Sequence, residues 1–260
     1  MKIIKIEVSD IRFPTSLDNL GTDAVHVDCD YSATYVQIYT DTANLVGIGL
    51  TFTIGKGNDL CVQCIDHFKP AILGKTINEI ERDIKKLWTD CTNHSQLRWI
   101  GPEKGVVHLA VAALFNGLWD LICKFHKKPL WKYITELPDD ELLQKLSFSY
   151  LDDAISIDEA SLILNEKKKA IEEEANSIVE NGFPCYTTAA GWLGYSDQKM
   201  GGLIKKALDE GWNYFKIKVG QDISRDIHRL ELVRKLIGPK RFLMIDANQI
   251  WSVNESIDYI

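Results

Sequence analysis

With 260 residues, 45% hydrophobic and 26% charged, the chain has the composition of an ordinary globular protein, and its length allows one large domain or two smaller ones. A formal charge of −7 argues against a general nucleic-acid or anionic-membrane surface, although a local lysine pair can outweigh that mean field for a small acidic substrate. No apolar run approaches a membrane span, and the opening Met-Lys-Ile-Ile-Lys-Ile-Glu-Val reads as a strand rather than a signal or an Arg-rich presequence, so the cytosol is the default.

Residues 2–12 alternate as a strand. Two further strands, 31–39 and 45–53, are joined by the turn Asp-Thr-Ala-Asn, so a small antiparallel meander opens the chain. Between the first two strands lies 13–30, a polar, acidic loop containing glycine and His26. Compact domains seldom keep so long a loop without a use, and a lid or plain disorder are the two readings. The stretch 49–57 ends in Gly-Lys-Gly but has the wrong spacing for a phosphate loop, and reads as a flexible turn.

Residues 58–135 read as helices. Cys61-Val-Gln-Cys64, with His67 nearby, sits where positions 61, 64, 65 and 68 form one apolar stripe. A second cysteine pair at zinc-ribbon spacing is absent, so the six cysteines are reduced thiols and this pair is core packing. In the most apolar helix, 102–124, the small residues Ala110, Ala113 and Gly117 let another element approach closely. His108 and His126 have no partner at a useful spacing and read as structural.

Leu137-Pro-Asp-Asp-Glu marks a composition shift. Residues 146–151 read as a strand, and 158–181 as one helix whose charges form a solvated face. After Gly182 strand and helix alternate: strands at 185–190, 214–219 and 242–245, helices at 196–210, 225–237 and from 253 onward. That pattern fits a (β/α)₈ barrel or a doubly wound sheet. Ala-Gly-Trp-Leu-Gly-Tyr does not supply a dinucleotide fingerprint, so the barrel is favoured.

The chemistry gathers in 214–248. On the first of its two strands Phe215, Ile217 and Val219 share one face while Lys216 and Lys218 share the other, because the strand period is two. Parallel strands normally have both faces covered, so two lysines on one face are costly unless a site uses them. Asp246 and Asn248 lie where the next strand ends, at the edge where α/β folds place their sites. Lysines facing water and Asp-Ala-Asn as a simple turn are the structural alternative.

Lys-Ile-Lys followed by Ile-Asp-Ala-Asn on the next strand resembles the enolase superfamily, in its mandelate-racemase branch. Arg12-Phe-Pro-Thr-Ser-Leu, Asp30-Tyr-Ser-Ala-Thr-Tyr, the stretch from Gln96 through Arg-Trp-Ile-Gly-Pro to Gly105, Trp192-Leu-Gly-Tyr-Ser-Asp and Asp246-Ala-Asn-Gln are similar to the L-fuconate dehydratase group and its animal homologues. The resemblance runs over essentially the whole chain. It implies an α+β N-terminal capping domain over 1–137, a linker with a charged helix over 138–182, and the first part of a (β/α) TIM-type barrel over 183–260. About three strands of an incomplete barrel are then present, since a whole one takes about 250 residues.

The resemblance also implies a mechanism. Lys218 matches the family's base and Lys216 the neighbour that helps bind the substrate carboxylate and, as a like charge, lowers the pKa of Lys218. Asp246 matches the first ligand of a Mg²⁺ ion, with Asn248 a weaker candidate beside it. Such enzymes use a Lys or His base with Mg²⁺ to remove the proton beside a carboxylate. Loss of the β-hydroxyl as water then converts L-fuconate to 2-keto-3-deoxy-L-fuconate. Gly21, Thr22, Asp23 and Tyr31 match substrate-contacting positions. The partner implied is a small acid sugar, with neither nucleic acid nor membrane; a homo-oligomer stays open, as does the mitochondrial location of some family members.

Two departures stand out. Ile250 occupies a position where the nearest family members carry Arg. The family's other two acidic metal ligands and its His–Asp pair come from later strands, so these 260 residues alone are expected not to turn over substrate. A racemase or epimerase shares the chemistry up to proton removal, a non-catalytic fragment acting by association is the reading from a different class, and a Rossmann-type binding domain comes last.

Overall fold

The computed structural model describes residues 1–97, 99, 103–168 and 170–260. Within the stretch from Gln96 to Gly105, and at the expected start of the apolar helix, Arg98, Ile100, Gly101 and Pro102 lie outside the described residues. The chain forms two compact units. One comprises Met1–Arg12 with Ser32–Gly182, the other Phe13–Tyr31 with Phe183–Ile260.

In the first unit β1 (Ile3–Arg12), β2 (Ser32–Thr40) and β3 (Val46–Thr53) form an antiparallel sheet in sequence order. Its register pairs Val8 with Val36 and Val36 with Gly49. Every second residue of β2 is buried, as one covered face requires. Helices α1 (Asn58–Ile72), α2 (Ile77–Thr92) and α3 (Val106–His126) cover that face, and α4 (Leu130–Thr135) follows. A capping box opens α2: Glu79 N–H donates to Thr76 Oγ1 at 3.3 Å and Thr76 N–H to Glu79 Oε2 at 2.8 Å.

The small residues of α3 do what the sequence suggested. A Cβ on Gly49 would stand 2.1 Å from the Ala113 carbonyl oxygen and 2.3 Å from the Gly117 nitrogen, so β3 lies directly on the helix backbone. By length and composition α3 could cross a membrane, contrary to expectation. It instead buries a broad face, Val107, Val111, Leu114, Leu118 and Ile122 among it, as a core helix does. Its stripe Asn116, Asp120 and Lys124 also closes the free edge of β3. Asn116 Nδ2 donates to Leu50 O at 3.2 Å, Ile48 N–H to Asp120 Oδ2 at 2.7 Å, and Lys124 Nζ to Val46 O at 2.9 Å.

Three expectations for this unit change. Residues 146–151 form turns, with Leu151 N–H bonded to Phe148 O at 2.9 Å, since a lone strand without a ladder to join has nothing to hold it. The charged helix is two helices, α6 (Ile157–Lys168) and α7 (Ile171–Asn181). Lys167 and Lys168 close α6 and Glu172, Glu173 and Glu174 open α7, which suits the two opposite helix ends better than one continuous dipole. The stretch read as a linker contains α5 (Asp139–Lys145), α6 and α7 and groups with the first unit. Cys61 and Cys64 are buried beside Ile65 and Phe68, and burial pushes the Cys64 thiol up to about 11, so the pair is inert packing.

The second unit holds α8 (Asp197–Asp209), β4 (Tyr214–Lys218), α9 (Ile223–Ile237), β5 (Phe242–Asp246) and α10 (Val253–Tyr259). β4 and β5 pair in parallel with α9 between them, the right-handed βαβ crossover being the usual solution for such a pair. The helices start at side-chain caps: Ser196 accepts from Lys199 N–H at 3.2 Å and Asp222 from Arg225 N–H at 2.8 Å. Phe215 and Ile217 pack with Met200, Ile204, Val233 and Ile237. The strand expected at 185–190 is reduced to one parallel bridge, Thr187 to Phe215. The chain then turns back, with Gly191 N–H bonded to Thr188 O at 2.9 Å. Two strands and a bridge therefore stand where three strands were expected, and the class is as read: an α+β unit followed by the opening parallel elements of a (β/α) fold.

Candidate active site

β4 alternates as its sequence dictates. Phe215, Ile217 and Val219 are 0%, 1% and 1% exposed, whereas the Lys216 and Lys218 side chains turn to the opposite face. In the parallel register Lys218 lies beside Asp246. Asp246 Oδ2 accepts from both amines, Lys218 Nζ at 2.9 Å and Lys216 Nζ at 3.1 Å. Asp246 Oδ1 accepts the Asn248 N–H at 3.1 Å. Asn248 and Gln249 adopt left-handed backbone angles, φ 48° and 59°, a conformation asparagine tolerates better than most and one that clusters at functional sites. This turn brings Asn248 Oδ1 to 2.5 Å from Lys218 Nζ.

Partial burial works against the Asp246 charge, but hydrogen bonds from Lys218, Lys216 and the Asn248 amide outweigh it and hold the carboxyl at about 2. Lys216 also donates to the Tyr186 hydroxyl at 3.0 Å, and this bond, with Asp246, raises its pKa against the opposing effect of burial. The two lysines are thus bridged by one carboxylate instead of facing each other as bare like charges. The Trp192 ring lies 5.7 Å from Lys218 Nζ, within reach of a cation–π attraction.

The loop Phe13–Tyr31 is ordered by its own bonds: Ser16 Oγ donates to Asp30 Oδ1 at 2.6 Å and Thr15 Oγ1 to Cys29 O at 2.9 Å. Of the four positions expected there to touch substrate, two serve the loop itself. Thr22 is buried, with Oγ1 accepting from Gly194 N–H at 2.8 Å and donating to Asn19 O at 2.9 Å. Asp23 Oδ1 accepts from the backbone N–H groups of Val25 and His26 at 2.8 and 2.7 Å, and the His26 ring nitrogen lies 3.1 Å away. Gly21 and Tyr31 do line a hollow of about 480 Å³, together with Tyr186, Trp192 and Trp212. A roomier hollow on the first unit, about 570 Å³, includes Asp120 and Lys124, but those are paired at 2.6 Å and committed to the edge of β3.

Sequence reasoning missed Tyr186, Trp192 and Arg229 as members of this neighbourhood. The segment that carries Trp192 is pressed between β4 and the 13–31 loop. A Cβ on Gly191 would stand 2.5 Å from the Lys216 carbonyl oxygen, and one on Gly194 2.5 Å from Asn19 Cβ. The Trp-Leu-Gly-Tyr stretch that failed as a nucleotide fingerprint was the available signal: its glycines permit close backbone approach. Ile250, the departure from the family pattern, lies against Gly220. His126, read as structural, has a partner from a distant helix, Glu81 at 3.0 Å.

As a metal site the residues fit in part. Asp246 offers carboxylate oxygen and Asn248 amide oxygen, both suited to a hard cation. Among the described residues no three His, Cys, Asp or Glu side chains gather around a common point.

Residues 199–260 match the family model described as enolase C-terminal domain-like. Over all 260 residues the chain is 45% identical to mitochondrial enolase superfamily member 1 of Xenopus laevis, spanning 58% of that protein. It is 44% identical over 257 residues to L-galactonate dehydratase of Hypocrea jecorina, spanning 56% of it. The crystal structure of the human mitochondrial enolase superfamily member 1 superposes with a TM-score of 0.94 at 42% identity, over 99% of this chain and 59% of that one. A more distant structure of the same fold, at 20% identity and a TM-score of 0.69, is L-talarate/galactarate dehydratase from Salmonella typhimurium LT2 liganded with Mg and L-lyxarohydroxamate, of which this chain covers 54%. The chain therefore spans somewhat more than half the length of the relatives it matches.

Proposed function

We propose that this chain, a member of the enolase superfamily, carries the lysine side of an acid-sugar dehydratase site. The observation that supports this most directly is the single carboxylate oxygen, Asp246 Oδ2, shared by Lys216 and Lys218 at the ends of paired parallel strands. In this reading Lys218 takes the proton from the carbon beside the substrate carboxylate. Lys216, steadied by the Tyr186 hydroxyl, binds that carboxylate. Asp246 would hold a Mg²⁺ ion, with Asn248 beside it. When bound, the cation would stabilise the negative charge that proton removal places on the substrate carboxylate. Trp192 covers Lys218 and keeps water from it, while Gly21 and Tyr31 face the substrate; Thr22 and Asp23 act by shaping the loop.

Departure of the β-hydroxyl as water leaves a 2-keto-3-deoxy sugar acid. L-Fuconate is the substrate we propose, and L-galactonate is the comparison to run beside it because a relative bears that name. The relatives named mitochondrial make that compartment, rather than the cytosol, the one to test by cell fractionation.

The test is Mg²⁺-dependent formation of keto acid from each sugar acid, on this chain and on a longer one carrying eight barrel strands. Turnover is expected in the longer protein only, and Lys218→Ala should abolish it. No keto acid from the longer protein, or keto acid formed by Lys218→Ala, overturns the assignment. Exchange of the α-proton with solvent deuterium without keto acid would move the function to a racemase or epimerase.

A further inference from the structure

Helix α9 buries Asp226, Arg229, Val233 and Ile237 along one side. Arg229 thus occupies a core position, 1% exposed. A guanidinium has five N–H donors and keeps its charge at any working pH, so burying it demands acceptors. Four of the five find them in one short segment, while Nε has none among the described residues. Nη1 donates to the carbonyls of Leu193 and Tyr195 at 3.4 and 3.2 Å, and Nη2 to those of Gly191 and Trp192 at 3.2 and 3.0 Å.

That segment consists of turns, and it has further attachments of its own. Gly191 O accepts the Lys218 N–H at 2.9 Å. The Trp192 ring covers the Lys218 amine. Leu193 N–H donates to Thr22 O at 3.1 Å and Gly194 N–H to Thr22 Oγ1 at 2.8 Å. One cation therefore gathers the carbonyls of a strip whose other groups grip Lys218 and the 13–31 loop.

We infer that Arg229 is a positioning residue: by clamping 191–195 it holds the Lys218 amine and the Phe13–Tyr31 loop in fixed register. The catalytic meaning of this rests on Lys218 being the base, as proposed above; the clamp itself does not. Arg229 touches no reacting atom and acts through Gly191 and Trp192. The Lys216 amine shares Asp246 Oδ2 with Lys218 but lies beside the Tyr186 ring and not the Trp192 ring, so the ratio of the two amines isolates what the strip contributes.

The experiment compares the whole chain with Arg229→Met and Arg229→Lys. Lysines are labelled with dilute acetic anhydride and quantified by peptide mass spectrometry, and amide exchange is followed in parallel. Losing charge-assisted bonds that hold a strip of turns should raise the Lys218-to-Lys216 labelling ratio about tenfold in Arg229→Met. The Leu193 and Gly194 amides should speed up by a similar factor while those inside α8 do not. Arg229→Lys, which keeps the charge and fewer donors, should fall between. A wild-type ratio in Arg229→Met overturns the inference, as does exchange that accelerates equally throughout the unit, which would mark an ordinary core residue. If Arg229→Met fails to fold, the ratio in Arg229→Lys decides: a rise supports the clamp and a wild-type value overturns it. Neither readout needs turnover, so failure of the dehydratase reading would show separately, as an inactive longer protein with the labelling ratio still shifted.

Discussion

Replacing Asp246 by Asn removes the carboxylate that two ammonium groups share. In the folded chain its carboxyl sits at about 2, against an ordinary 3.8, with the side chain 26% exposed. That difference corresponds to about 2 kcal/mol of stability at neutral pH, an upper figure because solvent screens a partly exposed group. The folded value is depressed, so the stabilisation is complete above the unfolded value and is lost as pH falls through the folded one. By linkage it is whole at pH 5 and above and down to about 1 kcal/mol at pH 3. Urea unfolding of the second unit, followed by Trp192 and Trp212 fluorescence at pH 7, 4 and 3, measures this directly. The gap between wild type and Asp246→Asn should narrow steadily toward pH 3. A gap of equal size at pH 7 and pH 3, or no gap at pH 7, would show that the carboxylate does not hold the two amines as described.

Tyr186→Phe takes from Lys216 the hydroxyl that contributes most to its raised pKa, so its NMR titration should shift downward; an unmoved titration would contradict the hydrogen bond. Gly194→Ala places a methyl 2.5 Å from Asn19 Cβ and 2.9 Å from Thr22 Oγ1. Overpacking of that kind costs about 1–3 kcal/mol, and limited proteolysis should cut 13–31 sooner; cleavage at the wild-type rate would mean that the loop does not rest there. Phe215→Ala empties a fully buried position on the apolar face of β4 and should cost about 3–5 kcal/mol in chemical denaturation, while a cost near zero would place that face outside the core.

Much of the site could be read from the chain because it depends on local periods. The Lys216/Lys218 alternation and the βαβ order together put Lys218 opposite Asp246, and both follow from strand geometry and a short crossover. What was missed depends on tertiary context. Arg229 looks like one more charge on a helix rich in Lys, Arg and Glu, yet it stands four residues before Val233 and eight before Ile237, on the stripe the helix buries. Thr22 and Asp23 were expected at the substrate because they match such positions in the family the chain resembles; in the structure Thr22 Oγ1 accepts from the Gly194 N–H and Asp23 Oδ1 from the Val25 and His26 N–H groups, which sequence alone could not show. Residues 146–151 alternate well enough for a strand, but alternation cannot reveal whether a partner edge exists.

Arg12 and Ser32 are direct partners in the β1–β2 ladder, so the chain leaves the sheet and re-enters it at the same rung. The excursion between them can change length without displacing a single rung, and doubling it would cost only about 0.6 kcal/mol in closure entropy. What limits its design is the distal grip at Thr22, where Leu193 and Gly194 hold it. Grafts that retain that threonine and vary the residues around Gly21 and Tyr31 would test the proposal that those positions face substrate, with the scaffold untouched.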